Sequence, residues 1–466
     1  MYTVVEARVR AEADLTDSFL CPRGLKQGEV CSPVLFSLLI NELTKEINQH
    51  GRHGVQLSPE LIQILILLFA DDVALISDSV IGLQTQLNIL YNTAKRLDLI
   101  VNLEKSNVVV FRNGGFLANT EKWYFGETLL KPVNAYKYLG IIFTSRLSFQ
   151  STFLDLANRA RKGISAITRT LWSLGEHSPK VFFKLFDAQI QPILTFGAEI
   201  WGLTRNQEVI ERVHLCALKR FMCVSQRAPR HLIYGELGRY PLQVVCYTKC
   251  IKFWLRLVTM SDSRFPKKAY NTLLFLQSRN YSTWACNVRN VLYMYGYGIV
   301  WEAQSVGNSK AFISQFRQRL IDCYAQEWDA KLDTHSFYQV YSSYGRSLAL
   351  RHYFCVIKNI NVRKIFTRFR LGMLPLRNRF LKYNNMRKEQ NIFCPFCDGF
   401  PETEVHFILV CPKYADLREQ FLPRKFFNRP SVFKMALLLS NPSDNLIMQS
   451  AMYVFKAYKR RNDDLQ

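Results

Sequence analysis

The sequence has few acidic residues for its number of basic ones. Its 466 residues include 37 Asp and Glu against 61 Lys and Arg, a net charge of +24. Such an imbalance favours a polyanionic partner, because each phosphate contact releases condensed counterions. The alternative, a basic protein that binds no polyanion, stays open on charge alone.

The sequence also lacks an export signal and an apolar run long enough to span a membrane. The most apolar run, residues 61–70, is about half a membrane span and contains Gln63. Charges interrupt the N-terminal segment too early for a signal peptide: Glu6, Arg8, Arg10, Glu12 and Asp14. We therefore expect an intracellular protein, cytoplasmic or nuclear, without a transmembrane segment. Its 12 cysteines then favour reduced thiols and one metal site over disulfides.

A hydrophobic content of 48% and an aromatic content of 13% exclude a mostly disordered chain, and the length favours two to four domains. Both strand and helix patterns occur in the first 149 residues, and helical patterns dominate the remaining residues. This predicts an α+β fold. The predicted elements are a helix from the Ser32-Pro33 cap to about Ile47, a hairpin of strands Ile62–Phe69 and Val73–Ser77, a helix Gly82–Leu99, and strands Val108–Phe111 and Tyr138–Phe143.

Asp71 and Asp72 lie at the turn of the predicted hairpin, where adjacent carboxylates can approach one edge. Residues 54–94 contain no Lys or Arg to neutralise them. Paired oxygen ligands of this kind suit Mg²⁺ or Mn²⁺. A solvated Asp-Asp turn is the open alternative, since such turns are common.

Four segments, in this order, resemble the reverse transcriptases of non-LTR (LINE-type) retrotransposons. They are Gly24-Leu-Lys-Gln-Gly28-Glu-Val-Cys-Ser-Pro33-Val-Leu-Phe36 (similar to motif B), Phe69-Ala-Asp-Asp72 (motif C), Asn102-Leu-Glu-Lys105-Ser (motif D) and Tyr136-Lys-Tyr-Leu-Gly140 (the next palm strand). A lone Asp-Asp is weak evidence, whereas the ordered set is specific. The resemblance implies an RNA-directed DNA polymerase with a right-hand palm.

By resemblance, Asp71 and Asp72 are catalytic ligands of Mg²⁺ (or Mn²⁺) in a two-metal nucleotidyl transfer. Lys105 is implied as a catalytic residue near the triphosphate, as an acid for the departing pyrophosphate, although an ordinary exposed lysine remains an alternative. Implied substrate-binding residues are Gln27, Gly28 and Phe69. The implied partners are an RNA template, a DNA primer or target, and dNTP, while the oligomeric state stays undetermined.

The family's third catalytic carboxylate, in motif A, has no counterpart before Gly24. Asp14 and Asp17 stand in a charged, turn-like stretch without an apolar strand. We therefore expect the palm to be incomplete and N-terminally truncated, and the chain to be inactive alone. Its origin as a truncated gene product, a decayed copy or a host-recruited protein stays open.

A Cys-x2-Cys-x8-His-x4-Cys pattern follows a basic stretch near the C-terminus. Its ligands would be Cys394, Cys397, His406 and Cys411, with the last two at the ends of a short helix 405–410. Four such ligands suit a closed tetrahedral Zn²⁺ site. The pattern also resembles the C-terminal zinc knuckle of non-LTR retrotransposon proteins. Three buried cysteines with a chance histidine are the alternative.

Residues 336–388, the basic arm, contain twelve Lys and Arg and no Asp or Glu. Interleaved cations and aromatic rings can bind phosphates and stack on bases. The alternative for the rings, which we favour, is a buried helical layer. The predicted nucleic-acid-binding residues are Lys358, Arg363, Lys364, Arg368, Arg370, Arg377 and Arg379.

The predicted domains are a partial palm (1–145), a helical thumb (146–260), a linker with the basic arm (261–390), a zinc knuckle (391–415) and a helical tail (416–466). Two further segments resemble the same proteins more loosely: Tyr234-Gly-Glu-Leu-Gly-Arg-Tyr-Pro241 and Phe366-Thr-Arg-Phe-Arg-Leu-Gly-Met-Leu-Pro375. Two rival functions remain. One is a non-catalytic nucleic-acid-binding protein that uses the arm and knuckle. The other is a group II intron maturase, against which the knuckle and the lack of an HNH-type His cluster argue.

Overall fold

A computed structural model describes residues 6–11, 14–21, 24–26, 28–57, 62–204, 207–334, 338–377, 392–397 and 399–465. The chain forms two compact units. Unit 1 comprises residues 1–148 and 262–281, and unit 2 comprises residues 149–261 and 282–466. No helix within the described residues is long and apolar enough to cross a membrane.

Unit 1 mixes short strands with three helices, as the α+β prediction requires. The helices are α1 (Ser32–His50), α2 (Val80–Arg96) and α10 (Phe265–Ser278). The strands are β1 (Glu6–Ala7), β2 (Arg10–Ala11), β3 (Asp14–Leu15), β4 (Phe19–Leu20), β5 (Val55–Leu57), β6 (Ile62–Ile64), β7 (Ile66–Phe69), β8 (Asp72–Leu75), β9 (Asn107–Val108), β10 (Trp123–Phe125), β11 (Thr128–Pro132), β12 (Ala135–Tyr138) and β13 (Ile141–Thr144).

The strands of unit 1 pair mainly with their neighbours in sequence. Antiparallel pairs are β1 with β4, β2 with β3, β5 with β6, β7 with β8, β10 with β11, and β12 with β13, while β9 joins β11 in parallel. The predicted hairpin is confirmed, but its first strand is divided at the buried Leu65, so that β6 pairs with β5 and β7 pairs with β8. The predicted single strand 138–143 is interrupted by a turn at Leu139 and Gly140, which have φ of 47° and 84° and separate β12 from β13.

The β7–β8 hairpin is held from one side by α1 and α2. Leu65 packs with Leu43 and Ile47 of α1, and partly buried residues of β8 and α2 complete this cluster. Helix α1 begins at Ser32 as expected, yet Ser32 is not its cap. The Ser32 hydroxyl donates to the Lys26 carbonyl oxygen at 2.7 Å, and Cys31 holds the cap position. Ser79 caps α2 by accepting from the Gly82 amide at 3.1 Å.

Within the described residues of unit 2 the regular secondary structure is helical, apart from isolated β-bridges. Its first helices are α3 (Gln150–Ser173), α4 (Pro179–Leu185), a π-helical turn (Phe186–Ile190), α5 (Gln191–Leu194), α6 (Ala198–Trp201), α7 (Glu208–Met222), α8 (Arg230–Leu237) and α9 (Leu242–Val258). These are followed by α11 (Trp284–Met294), α12 (Gly298–Ala303), α13 (Ser309–Thr334), α14 (Gln339–Gly345), α15 (Tyr353–Val356) and α16 (Ile360–Arg370). The last are a π-helical turn (His406–Val410), a 3₁₀ turn (Pro412–Tyr414), α17 (Ala415–Phe421), α18 (Arg424–Phe427), α19 (Val432–Leu439) and α20 (Asp444–Asp463).

One hydrophobic core joins the C-terminal half of unit 2. It contains side chains from α7 and α8, from α16, from the Cys/His segment and from α19 and α20. The rings of Tyr353, Phe354, Phe366 and Phe369 are all buried in it. The aromatic residues of the basic arm therefore form a buried layer, as favoured from the sequence. Phe380 and Tyr383 lie outside the described residues.

A buried ion pair links the two segments noted for their looser resemblance. Glu236 of α8 accepts from Arg370 of α16 through both carboxylate oxygens, at 3.2 and 3.1 Å, and the Arg351 Nε lies 3.4 Å away. Burial opposes ionisation of Glu236, but Arg370 and then Arg351 outweigh it and hold the pKa of this carboxyl below its usual value. Two segments 134 residues apart are thus fixed to each other by a charge pair.

Candidate functional site

The tip of the β7–β8 hairpin carries the two predicted catalytic carboxylates. Phe69 pairs with Asp72, so Ala70 and Asp71 form a two-residue turn, with Ala70 in the left-handed region at φ 53°. Both carboxylates are exposed, and neither has an ion pair or hydrogen bond to any described residue. Two adjacent anions without a protein cation are suited to a divalent ion.

The negative charge at the hairpin tip affects the ionisation of Tyr138 in β12. Burial raises the pKa of Tyr138, and the negative charge of Asp72 raises it further. The sequence indicated the segment 136–140 as the next palm strand. The structure places Tyr138 of this segment close enough to Asp72 for the carboxylate to disfavour ionisation of the Tyr138 hydroxyl.

The turn that carries Lys105 is fixed by its neighbours. The Asn102 side chain accepts from the Lys105 amide at 3.1 Å, and the Tyr136 hydroxyl donates to the Lys105 carbonyl oxygen at 2.9 Å. The Lys105 side chain itself is exposed. Segments 102–106 and 136–140 are therefore in direct contact, which the sequence order alone did not show.

The predicted substrate-binding residues are only partly described. Gly28 has a φ of 89° and open space around the position that a Cβ would occupy. The Phe69 ring is 61% exposed beside Asp72. Gln27 lies outside the described residues.

The predicted zinc ligands come together in unit 2. One ligand atom from each of Cys394, Cys397, His406 and Cys411 lies within 4.8 Å of all the others, and no other cluster of this kind occurs in the described parts of the chain. Sulfur atoms of Cys394 and Cys411 are 3.8 Å apart, and those of Cys397 and Cys411 are 3.4 Å apart. Two thiolates bound tetrahedrally at about 2.3 Å from zinc would lie about 3.8 Å apart.

His406 supports the same interpretation. Its Nε2 is buried and has no hydrogen-bond partner among the described residues, although buried polar atoms are normally paired. Burial lowers the pKa of His406, which keeps its imidazole in the neutral form that binds metals. The four residues therefore fit a zinc ion. The helix between His406 and Cys411 is present as predicted, in π-helical form.

Residues around this cluster were not identified from the sequence. Arg418, which is buried, donates to the Cys411 carbonyl oxygen at 2.6 Å. Glu402 accepts from Arg461 at 2.6 and 2.8 Å and from the Arg377 amide at 2.7 Å. Both Glu402 and Glu404 precede His406, and nothing in the sequence marks Glu402 as the partner of Arg461.

Residues 3–143 match the family described as reverse transcriptase (RNA-dependent DNA polymerase). This segment contains the carboxylate hairpin and the Lys105 turn. These residues are therefore similar to reverse transcriptases.

The relatives of the chain are proteins of non-LTR retrotransposons. It is 24% identical over 234 residues to a probable RNA-directed DNA polymerase from the transposon X-element of Drosophila melanogaster, covering 49% of this chain and 23% of the relative. It is 21% identical over 408 residues to the 115 kDa protein in the type-1 retrotransposable element R1DM of the same species, covering 85% of this chain and 34% of the relative.

A third relative is the Pol polyprotein from type-1 retrotransposable element R2 of Popillia japonica, 24% identical over 224 residues, which are 46% of this chain and 30% of that protein. The chain thus spans about a quarter to a third of the length of these three relatives. The match to the R1DM protein is long enough to extend beyond the reverse transcriptase segment into unit 2.

The basic arm differs from the prediction. Arg363 and Arg370 are each 3% exposed, and both bind inside unit 2. Arg363 donates to the His177 carbonyl oxygen at 2.7 Å, and Arg370 donates to Glu236. Both guanidinium groups are buried among protein acceptors and do not reach a nucleic-acid backbone from there, so the structure does not support their predicted role in nucleic-acid binding. A sequence-only count of cations cannot separate buried ones from exposed ones.

The other five predicted nucleic-acid-binding residues differ in their exposure. Lys358 is exposed, and Lys364 and Arg368 are half-buried, with Arg368 donating to the Cys223 carbonyl oxygen at 3.2 Å. The Arg377 side chain reaches the Phe393 carbonyl oxygen at 3.4 Å. Arg379 lies outside the described residues. Lys358 and Lys364 are therefore the arm cations best placed to meet a phosphate.

Proposed function

We propose that this chain contributes the motif B to motif D part of an RNA-directed DNA polymerase of a non-LTR retrotransposon, with Asp71 and Asp72 as its metal-binding carboxylates. The observation that carries this proposal is the exposed carboxylate pair at the hairpin tip, inside the segment that matches the reverse transcriptase family. The proposed partners are an RNA template, a DNA primer and dNTP.

In this proposal each residue has a definite task. Asp71 and Asp72 hold Mg²⁺ or Mn²⁺, which when bound supplies Lewis-acid stabilisation of the attacking and leaving oxygens. The exposed Lys105, held on its fixed turn, faces the triphosphate charge and donates a proton to the leaving pyrophosphate. Gly28 leaves room for the new base pair, with Gln27 and Phe69 beside it.

We further propose that the chain alone does not extend a primer. No third His, Cys, Asp or Glu side chain clusters with Asp71 and Asp72 within the described residues. Two carboxylates provide fewer ligands than a two-metal site requires.

The carboxylate proposal predicts a metal site that depends on Asp71 and Asp72. Mn²⁺ binding followed by electron paramagnetic resonance should weaken at least about tenfold in Asp71→Asn/Asp72→Asn, because both charged ligands are lost. Asp262→Asn, an exposed acid of the same unit, is the control and should bind as the wild type does. Equal Mn²⁺ binding in all three proteins would contradict the proposed site.

Primer extension tests the second part separately. The purified wild-type chain, given an RNA template, a DNA primer, dNTP and Mg²⁺, should yield no more product than Asp71→Ala/Asp72→Ala. Product that disappears in the double variant would show an active polymerase. It would overturn the proposed inactivity while supporting the function of the hairpin.

A second candidate function is nucleic-acid binding by unit 2 without catalysis. It is favoured by Lys358 and Lys364, which remain accessible on a basic arm without acids. In this proposal Zn²⁺ at the four-ligand cluster stabilises unit 2. We also propose the domain assignment of palm, thumb, linker, knuckle and tail, and a cytoplasmic or nuclear location.

Charge removal in the arm should weaken RNA binding and its salt dependence together. In Lys358→Ala/Lys364→Ala, the slope of log K against log salt should fall by about 1.4, since each single-strand phosphate contact contributes about 0.7. Lys310→Ala/Lys331→Ala removes two exposed lysines of α13 and should leave the slope unchanged. The measurement is a fluorescence-anisotropy titration at several salt concentrations. Equal slopes for both double variants would exclude the arm as the contact surface.

A further inference from the structure

Unit 2 contains a partly open cavity of about 200 Å³ that has no part in the proposed nucleotidyl transfer or zinc binding. Its walls come from residues 344–353, from α16, and from the segment 438–450 between the end of α19 and the first turns of α20. Leu350, Phe366 and Ile447 supply apolar surface. At about 30 Å³ per water molecule, this volume holds roughly six waters.

Two guanidinium groups, and no Asp or Glu among the described residues, line this cavity. Arg370 is 3% exposed, and Arg351 has a side chain that is 17% exposed. Behind them lies the fully buried Glu236, which neutralises one of the two charges. His352 also lines the cavity and pairs with Asp444 at 2.6 Å, both being more than half exposed. The cavity wall therefore keeps one uncompensated positive charge.

Ser450 adds an independent observation. It lines the same cavity and is 1% exposed, and its Oγ has no hydrogen-bond partner among the described residues. A hydroxyl this deeply buried is normally paired, because an unpaired one loses its bonds to water without replacement. An acceptor inside the cavity would satisfy it.

We propose that this cavity is a binding site for a small oxyanion, a phosphate or carboxylate group on a body of a few heavy atoms. Its charge is balanced by the one positive charge that Glu236 leaves uncompensated on Arg351 and Arg370. Both guanidinium groups are always protonated and are suited to planar or tetrahedral oxyanions. The Ser450 hydroxyl donates to one of its oxygens. Leu350, Phe366 and Ile447 contact its apolar part. The volume excludes a polynucleotide strand.

Calorimetric titration of the full chain with inorganic phosphate, and separately with acetate, tests the site at constant ionic strength. We expect one saturable site for at least one of the two anions. Ser450→Ala should weaken it about three- to tenfold, the usual range for one neutral hydrogen bond. Ser450→Leu should abolish it by filling the cavity. Ser343→Ala, at an exposed serine outside the cavity, should bind as the wild type does.

The two anions distinguish the two kinds of ligand. Binding of phosphate indicates a ligand with a phosphate group, and binding of acetate indicates a ligand with a carboxylate group. Circular dichroism melts establish whether each variant is folded. If Ser450→Leu is unfolded, the binding measured for Ser450→Ala decides the outcome. Absence of saturable binding of both anions to the wild type would overturn the proposal. Binding that persists unchanged in the Ser450 variants would also overturn it, because it would then reflect the basic surface of the protein.

Discussion

Loss of zinc is expected to destabilise the whole C-terminal half of unit 2. Cys394 and Cys411 belong to the same hydrophobic core as α16 and α20, so their ligand cluster is not an independent appendage. Burial raises the pKa of both thiols, and a bound zinc ion would reverse this preference by displacing their protons. Structural zinc contributes on the order of 10 kcal/mol to folding in small zinc-finger peptides.

Plasma mass spectrometry of the purified chain should find one zinc per chain. Cys411→Ser, or chelation, should lower the melting temperature by about 10 °C or more, since each kcal/mol corresponds to roughly 2–4 °C in a protein of 150–250 residues. Cys355→Ser changes an exposed cysteine of the same unit and should alter neither zinc content nor melting temperature. Equal melting temperatures for the metal-free and the zinc-loaded chain would refute a structural role of zinc.

Breaking the buried pair of Glu236 and Arg370 is expected to have the second-largest effect. Glu236→Gln leaves two guanidiniums facing a neutral amide, and Arg370→Met leaves the carboxylate with Arg351 alone. Removing one member of a buried ion pair typically costs about 3–5 kcal/mol, because the remaining charge is buried without full compensation. The Leu439 carbonyl oxygen, which accepts from Arg370 at 2.7 Å, also loses its partner in Arg370→Met.

Urea unfolding of both single variants measures this cost. The control is Arg460→Met, which removes a bidentate pair to Asp416 at 2.7 and 2.8 Å on the exposed surface, where the expected cost is about 1 kcal/mol or less. Because the pKa of Glu236 is lowered in the folded chain, its contribution is complete above the ordinary pKa near 4.5. It is lost as the pH falls through the lower folded pKa. Equal costs for the buried and exposed pairs would contradict the assigned role.

Local sequence signals located the hairpin and the zinc ligands because neighbouring residues form them. The two apolar strands on either side of Asp71 and Asp72 predict a hairpin turn at which both carboxylates can approach one edge. The spacing of Cys394, Cys397, His406 and Cys411 predicts one tetrahedral site, which the structure supports with four convergent ligand atoms.

Other features depend on residues far apart in the chain and could not be predicted. The composition of the basic arm is the same whether its cations face solvent or protein. Only the packing of α16 against α8 shows that Arg370 neutralises Glu236. Similarly, Tyr136 fixes the Lys105 turn from 31 residues away.

The sequence by itself determined the mixed fold of the first 148 residues, the carboxylate turn, the helical remainder and the four zinc ligands. Each of these rests on short-range periodicity, turn chemistry or ligand spacing. Tertiary structure alone decided which charges are available. Burial placed Arg363 and Arg370 among protein acceptors, joined the zinc cluster to a common core, and left the hydroxyl of Ser450 facing a positively charged cavity. Desolvation is the physical reason, because it depends on what surrounds a charge and not on its neighbours in sequence.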